Sequence, residues 1–198
     1  MRKAEIERNT KETRISLRLN IDGSGMLLGK NPIPFFNHML DHFSRYSLID
    51  LDLQVEGDIE IDGHHTVEDC GIVLGEAIKK AIGDKKGICR YGWVTIPMDD
   101  CLVTVSVDFS GRPYFSYQGI SLTSMQGFGD LYDSELTLEF LQKLSIHIGM
   151  NLHVVVHYGE NRHHIHEAIF KATGLAFRKA LEIDSRRPDE IPSTKGVI

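Results

Sequence analysis

Residues Arg14-Ile15-Ser16-Leu17-Arg18-Leu19-Asn20-Ile21 alternate polar and apolar, the period of a strand with one buried face. Asp22-Gly23 turns the chain into a short strand over 26–28, which Pro32 and Pro34 end. Over 35–46 the period becomes helical, with Phe36, Met39, Leu40 and Phe43 on one face. Alternation returns in Leu51-Asp52-Leu53-Gln54-Val55-Glu56, and the next pattern predicts a helix from about His64 to Ile82, closed by Gly83. The polar run Asp84-Lys85-Lys86-Gly87 then breaks the pattern.

After the break the order recurs. Strands are expected over 91–98 and 102–109, joined by Asp99-Asp100, and over 113–117 behind the turn Ser110-Gly111-Arg112. A helix over 134–148 keeps Leu136, Phe140, Leu141 and Leu144 in register. A strand at Leu152-His153-Val154-Val155-Val156-His157 and a long helix over 163–181 follow. With Glu12 in a turn between two N-terminal strands, each half reads β-β-β-α-β-α. The expected architecture is α+β: two pseudo-symmetric half-domains, 1–86 and 87–183, with helices packed together between two sheets, and a tail over 184–198.

Composition changes this picture little. The 198 residues are 41% hydrophobic and 25% charged, which excludes a disordered or low-complexity chain. A net charge of −6 without a long basic run argues against nucleic acid and anionic membranes as partners. No apolar stretch approaches the roughly 20 residues that span a bilayer. The N-terminus turns charged at once, unlike a signal peptide. Cys70, Cys89 and Cys101 form neither an even set nor a CxxC pair, so a reduced, cytoplasmic protein is expected.

Ten histidines do change it. His64-His65-Thr66-Val67-Glu68 and His163-His164-Ile165-His166-Glu167 each open the last helix of a half, 99 residues apart. Within each, His and Glu three or four residues apart share a helix face. Adjacent histidines diverge by about 100°, so one pair reaches two ions more readily than it chelates one. His38, 26 residues before His64, and Glu139, 24 before His163, are the candidate partners on the preceding helices. Nitrogen and oxygen donors without sulfur favour Mn²⁺, with Fe²⁺ and Zn²⁺ as alternatives. The expected allocation crosses the motifs: His38, His65, Glu68 and His163 on one ion, and His64, Glu139, His164 and Glu167 on the other. His42, His147, His153, His157 and His166 are not expected to bind metal, although His42, four residues after His38, is placed to approach a substrate.

Longer stretches resemble the imidazoleglycerol-phosphate dehydratase family of histidine biosynthesis. They are Arg8-Asn9-Thr10-Lys11-Glu12-Thr13, Phe36-Asn37-His38-Met39-Leu40, Gly57-Asp58 to Glu68-Asp69, Arg90-Tyr91-Gly92 and Ile96-Pro97-Met98-Asp99. Asp108-Phe109-Ser110-Gly111-Arg112-Pro113, His163 to Lys171, and Pro192-Ser193-Thr194-Lys195-Gly196 complete the set. The resemblance implies two Mn²⁺ ions per site and a shell of 24 subunits with active sites at subunit contacts. It implies loss of water from imidazole glycerol phosphate to give imidazole acetol phosphate, the ring being held as imidazolate. Glu12 would be the proton-transfer carboxylate. Arg90, Arg112, Ser193 and Lys195 would bind phosphate, with Thr194 beside them and Lys171 a weaker candidate. The polar tail would close over the ligand. Many family members carry His where Glu139 stands. Without the resemblance, a non-catalytic metal-binding or storage assembly would be the competing reading. A dinuclear hydrolase would be another, but it usually needs aspartate-rich bridging ligands that this sequence does not place.

Overall fold

The computed structural model describes residues 2–198. The first half runs β1 (Lys3–Asn9), β2 (Thr13–Asn20), β3 (Leu27–Lys30), α1 (Pro34–Ser47), β4 (Asp50–Gly57) and α2 (His64–Ile82). The second runs β5 (Tyr91–Met98), β6 (Cys101–Asp108), β7 (Tyr114–Gly119), α3 (Leu136–Ile148), β8 (Asn151–Tyr158) and α4 (Arg162–Leu181). The expected β-β-β-α-β-α order is present twice. Pro34 occupies the first turn of α1, where its missing N–H costs nothing.

Two departures concern α3 and the segment before it. Helix α3 starts at Leu136 rather than 134 because Ser134 is held in the preceding turn, its hydroxyl donating to the Gln126 carbonyl at 3.0 Å. Residues 120–135, to which the periodicity assigned almost nothing, form a long connection with a single 3₁₀ turn at Leu122–Ser124. The first half spans the corresponding gap with residues 31–33 alone.

Each half makes one four-stranded sheet, in the orders β1-β2-β4-β3 and β5-β6-β8-β7. The β3–β4 and β7–β8 pairs are parallel because a helix carries the chain back between them; the other pairs are antiparallel. Ile15, Leu17 and Leu19 of β2 and Val103, Val105 and Val107 of β6 point into the core, as their alternation requires. No helix is long and apolar enough to cross a membrane.

The helices lie between the sheets and pair across the halves, α1 against α4 and α2 against α3. Two glycines permit these crossings. A Cβ on Gly174 of α4 would stand 2.8 Å from the Phe43 carbonyl of α1, and one on Gly75 of α2 would stand 3.2 Å from the Leu144 carbonyl of α3. The two glycines are 99 residues apart, the spacing of the HHxxE motifs, so the repeat extends to the helix contacts. This interlock brings the start of each half's last helix beside the middle helix of the other half.

Candidate active site

At the α1–α4 contact, His38, His163 and Glu167 present ligand atoms within 4.8 Å of one another. Asn161 caps α4, its side-chain oxygen accepting the His163 backbone N–H at 2.9 Å. Glu167 divides its carboxylate between two faces. Oε2 lies 3.2 Å from His163 Nε2 and 3.7 Å from His38 Nε2. Oε1 takes the Lys171 ammonium and lies 3.3 Å from His42 Nε2. Burial pushes the Glu167 carboxyl upward, but Lys171, His42 and His163 together hold it below the usual range.

The α2–α3 contact repeats the arrangement with His64, Glu68 and Glu139, also within 4.8 Å. Asp62 accepts the His64 backbone N–H at 2.7 Å, as Asn161 does for His163. His64 Nε2 stands 3.7 Å from Glu68 Oε2, and Lys143 Nζ reaches Glu68 Oε1 at 2.8 Å and Glu139 Oε1 at 3.1 Å. The Lys143 hydrogen bond chiefly draws the Glu68 carboxyl down.

The allocation of donors differs from the sequence expectation. Glu167, not Glu68, joins His38 and His163, while Glu68, not Glu167, joins His64 and Glu139. The reason is the i,i+4 spacing, which aims the first histidine of each motif at its own glutamate. The crossing between halves comes instead from α1 and α3. The second histidines turn away, with ring centroids 6.1 Å (His64–His65) and 6.4 Å (His163–His164) apart and rings nearly perpendicular. His65 Nδ1 meets Asp58 at 2.9 Å, which raises its pKa, and His164 Nδ1 meets Asp100 at 2.5 Å. A carboxylate on one ring nitrogen fixes the tautomer and leaves Nε2 for a metal. Two triads of nitrogen and oxygen donors and two carboxylate-held imidazoles therefore suit divalent cations.

Glu12 stands immediately before β2, as Asp100 stands before β6. Its turn is fixed by the Thr10 hydroxyl, which accepts the N–H groups of Glu12 (3.1 Å) and Thr13 (2.9 Å). Buried Asp69 of α2 then grips Arg8 at 2.9 Å and the Thr13 hydroxyl at 2.5 Å. The Glu12 carboxylate is half exposed, 3.9 Å from His65 Nδ1, at a shallow cleft of about 330 Å³ that Asp58 also lines. Asp58, Asp69, Asp100 and Lys143 are the contributors that motif reading passed over. A carboxylate one residue after Glu68, on the helix face that carries Val73, was the available sign for Asp69.

The predicted phosphate residues Arg90, Arg112, Ser193, Thr194 and Lys195 line one cavity of about 620 Å³. The tail reaches it by returning on the second half: Gly87 N–H donates to Glu190 O at 2.9 Å, and Arg90 donates to Pro192 O at 2.8 Å. The rest of the Arg90 guanidinium is engaged by Asp108 at 2.7 and 3.2 Å. Arg112 and Lys195, by contrast, have no carboxylate within 4 Å among the described residues. Lys171 does not join this group within the chain, because its i,i+4 position on α4 places it on Glu167.

Beneath the first triad, His166 is fully buried among Phe35, Phe128 and Tyr132. Its Nδ1 contacts Thr137 Oγ1 at 2.7 Å, Thr137 contacts the Tyr132 hydroxyl at 2.8 Å, and His166 Nε2 has no partner among the described residues. Burial, with help from His163 and Arg162, lowers its pKa to about 3. The unfolded chain takes up that proton near pH 6.5. Below this value the unfolded state binds more protons, so stability falls with pH, by about 2 kcal/mol between pH 7 and 5. Urea unfolding at both pH values should show that loss shrinking by about this amount in His166→Phe; an equal loss in both proteins would contradict the assignment.

The sequence pattern of the family described as Imidazoleglycerol-phosphate dehydratase matches residues 31–177. A curated imidazoleglycerol-phosphate dehydratase of Leptospira biflexa is 58% identical over 191 residues, 96% of this chain and 95% of that relative. One from Moorella thermoacetica is 51% identical over 197 residues, covering 100% of this chain and 98% of that relative. The enzyme of Pyrococcus furiosus, solved in complex with (S)-C348, superposes with a TM-score of 0.81 at 35% identity, covering 98% of this chain and 100% of that one. That of Staphylococcus aureus gives 0.79 at 36%, covering 92% and 99%.

Proposed function

The chain belongs to the imidazoleglycerol-phosphate dehydratase family, lyases of histidine biosynthesis, and on that premise we propose how its residues turn imidazole glycerol phosphate into imidazole acetol phosphate. The observation that carries the reading is the pair of His/Glu triads, each assembled from helices of opposite halves. His38, His163 and Glu167 would hold one divalent ion and His64, Glu68 and Glu139 a second, with His65 and His164 supplying further imidazoles. The donor set favours Mn²⁺. When bound, the two cations supply Lewis acidity to the ring nitrogens and favour the imidazolate form of the substrate.

The protein groups do the rest. The hydroxyl leaves the carbon attached to the ring, and the Glu12 carboxylate accepts the proton from the neighbouring carbon, giving an enol that becomes the ketone. Arg112 and Lys195, cations without a carboxylate partner, bind the phosphate, while Ser193 and Thr194 offer hydroxyl donors. Arg90 holds the tail in place through Pro192 O, so that the tail can close over bound substrate. His42 and Lys171 fix Glu167 from behind. Neighbouring copies would complete the site in a 24-subunit shell. Exposed Tyr91, Trp93, Tyr114 and Tyr158 on the second sheet support such self-association. So do His65 and His164, whose rings stand apart from both triads of their own chain.

Arg112→Ala and Lys195→Ala should each weaken substrate binding by about 1.5–3 kcal/mol, the worth of a charge-assisted hydrogen bond, with metal content unchanged. Calorimetric titration with substrate reads this directly. Unaltered affinity in both variants would place the phosphate elsewhere. A metal-storage assembly would need neither these cations nor Glu12, and conversion of the glycerol phosphate to the acetol phosphate separates the two readings.

A further inference from the structure

The two triads are not copies of each other, and the difference lies in one pair of positions. On α1 the pair is His38 and His42, four residues apart, with Nε2 atoms 3.2 Å from each other. On α3 the same pair is Glu139 and Lys143: counted from the left-handed residue that ends each helix, Leu48 and Gly149, the positions coincide. The first triad has one carboxylate, Glu167, and the second has two, Glu68 and Glu139. The extra negative charge is met by Lys143, which spans Oε1 of both carboxylates at 2.8 and 3.1 Å while Glu68 Oε2 remains toward His64. All three side chains are only about a quarter exposed. Two carboxylates this close repel unless a cation lies between them.

We propose that Lys143 is the positioning residue of the second triad, and that Glu139 and Lys143 act as one charge-balanced unit in place of the His38–His42 pair. The inference rests on the reading of the triads as metal sites. In that role Lys143 neutralises the second carboxylate and holds Glu68 Oε1, leaving Oε2 toward His64, as Lys171 and His42 hold Oε1 of Glu167. An ordinary helix-surface ion pair would bridge two residues of one helix. Lys143 makes such a pair with Glu139 and in addition ties α3 to Glu68 of α2, so its loss would free both ligands together.

The test is Mn²⁺ binding to the purified assembled protein, with free Mn²⁺ followed by its electron paramagnetic resonance signal. The parent should bind two ions per chain. Lys143→Met should lose 10- to 100-fold in affinity at one of them, the usual cost of removing a residue that orients a ligand, with the other unchanged within twofold. Lys143→Arg should recover most of the loss. Glu139→His/Lys143→Met should also recover to within threefold of the parent, because a neutral imidazole needs no balancing cation, whereas Glu139→His alone should not. Parent-like affinities in Lys143→Met, or a double variant no tighter than Lys143→Met, would overturn the assignment while leaving the metal sites standing. A parent that binds no Mn²⁺ would overturn both.

Discussion

Glu12→Gln should give a folded protein that retains its metal and substrate affinity and has lost turnover by about 10²- to 10⁴-fold, the range for removing a general base. The amide keeps the size and hydrogen-bonding capacity of the carboxylate but cannot accept a proton. Because the turn is held by Thr10, Thr13 and Asp69 rather than by the Glu12 side chain, the substitution should leave the local backbone intact. Single-turnover kinetics, with substrate binding measured in parallel, distinguish this outcome from a binding defect. A wild-type rate would remove Glu12 from the chemistry and make His42, 3.3 Å from Glu167, the next candidate for proton transfer.

His163→Ala should have an effect at least as large by another route. It deletes one donor of the first triad and leaves Glu167 facing a lone His38, so one ion per chain should be lost and activity with it. Chelation should remove both ions and also loosen the assembly, since a metal that binds only the assembled state stabilises it by mass action. Light scattering before and after chelator, with metal analysis on the same samples, checks both effects. Full activity in His163→Ala, or in a 22.4 kDa monomer, would contradict the shared-site account. Metal loading should also fall on acidification as imidazoles take up protons. Because Asp58 raises the pKa of His65, that imidazole should take up its proton at a higher pH than an unpaired histidine does.

Most of this architecture was legible because the buried faces are periodic. The alternation Ile15, Leu17, Leu19 could form only a half-buried strand, and Gly83 marked the end of α2. The duplication was legible because both motifs open a helix. The partnership of the helices was not. Periodicity says which face of α1 is apolar but not that it meets α4 rather than α2, and that choice decides which glutamate joins His38. The groups that hold the ligands were harder still to read. Asp100 and Lys143 act on His164 and Glu68, 64 and 75 positions away, separations that only the fold brings together. The connection over 120–135 carries no regular period, yet Phe128 stacks on Phe35 with centroids 3.7 Å apart and joins the cage around His166.

The most direct test of the central claim is product formation from imidazole glycerol phosphate by metal-stripped protein, with and without added Mn²⁺. The account predicts no imidazole acetol phosphate from the stripped protein, and turnover that rises with added Mn²⁺ to a plateau at two ions per chain. Sustained turnover by rigorously stripped protein, or no product from protein carrying two ions per chain, would contradict it.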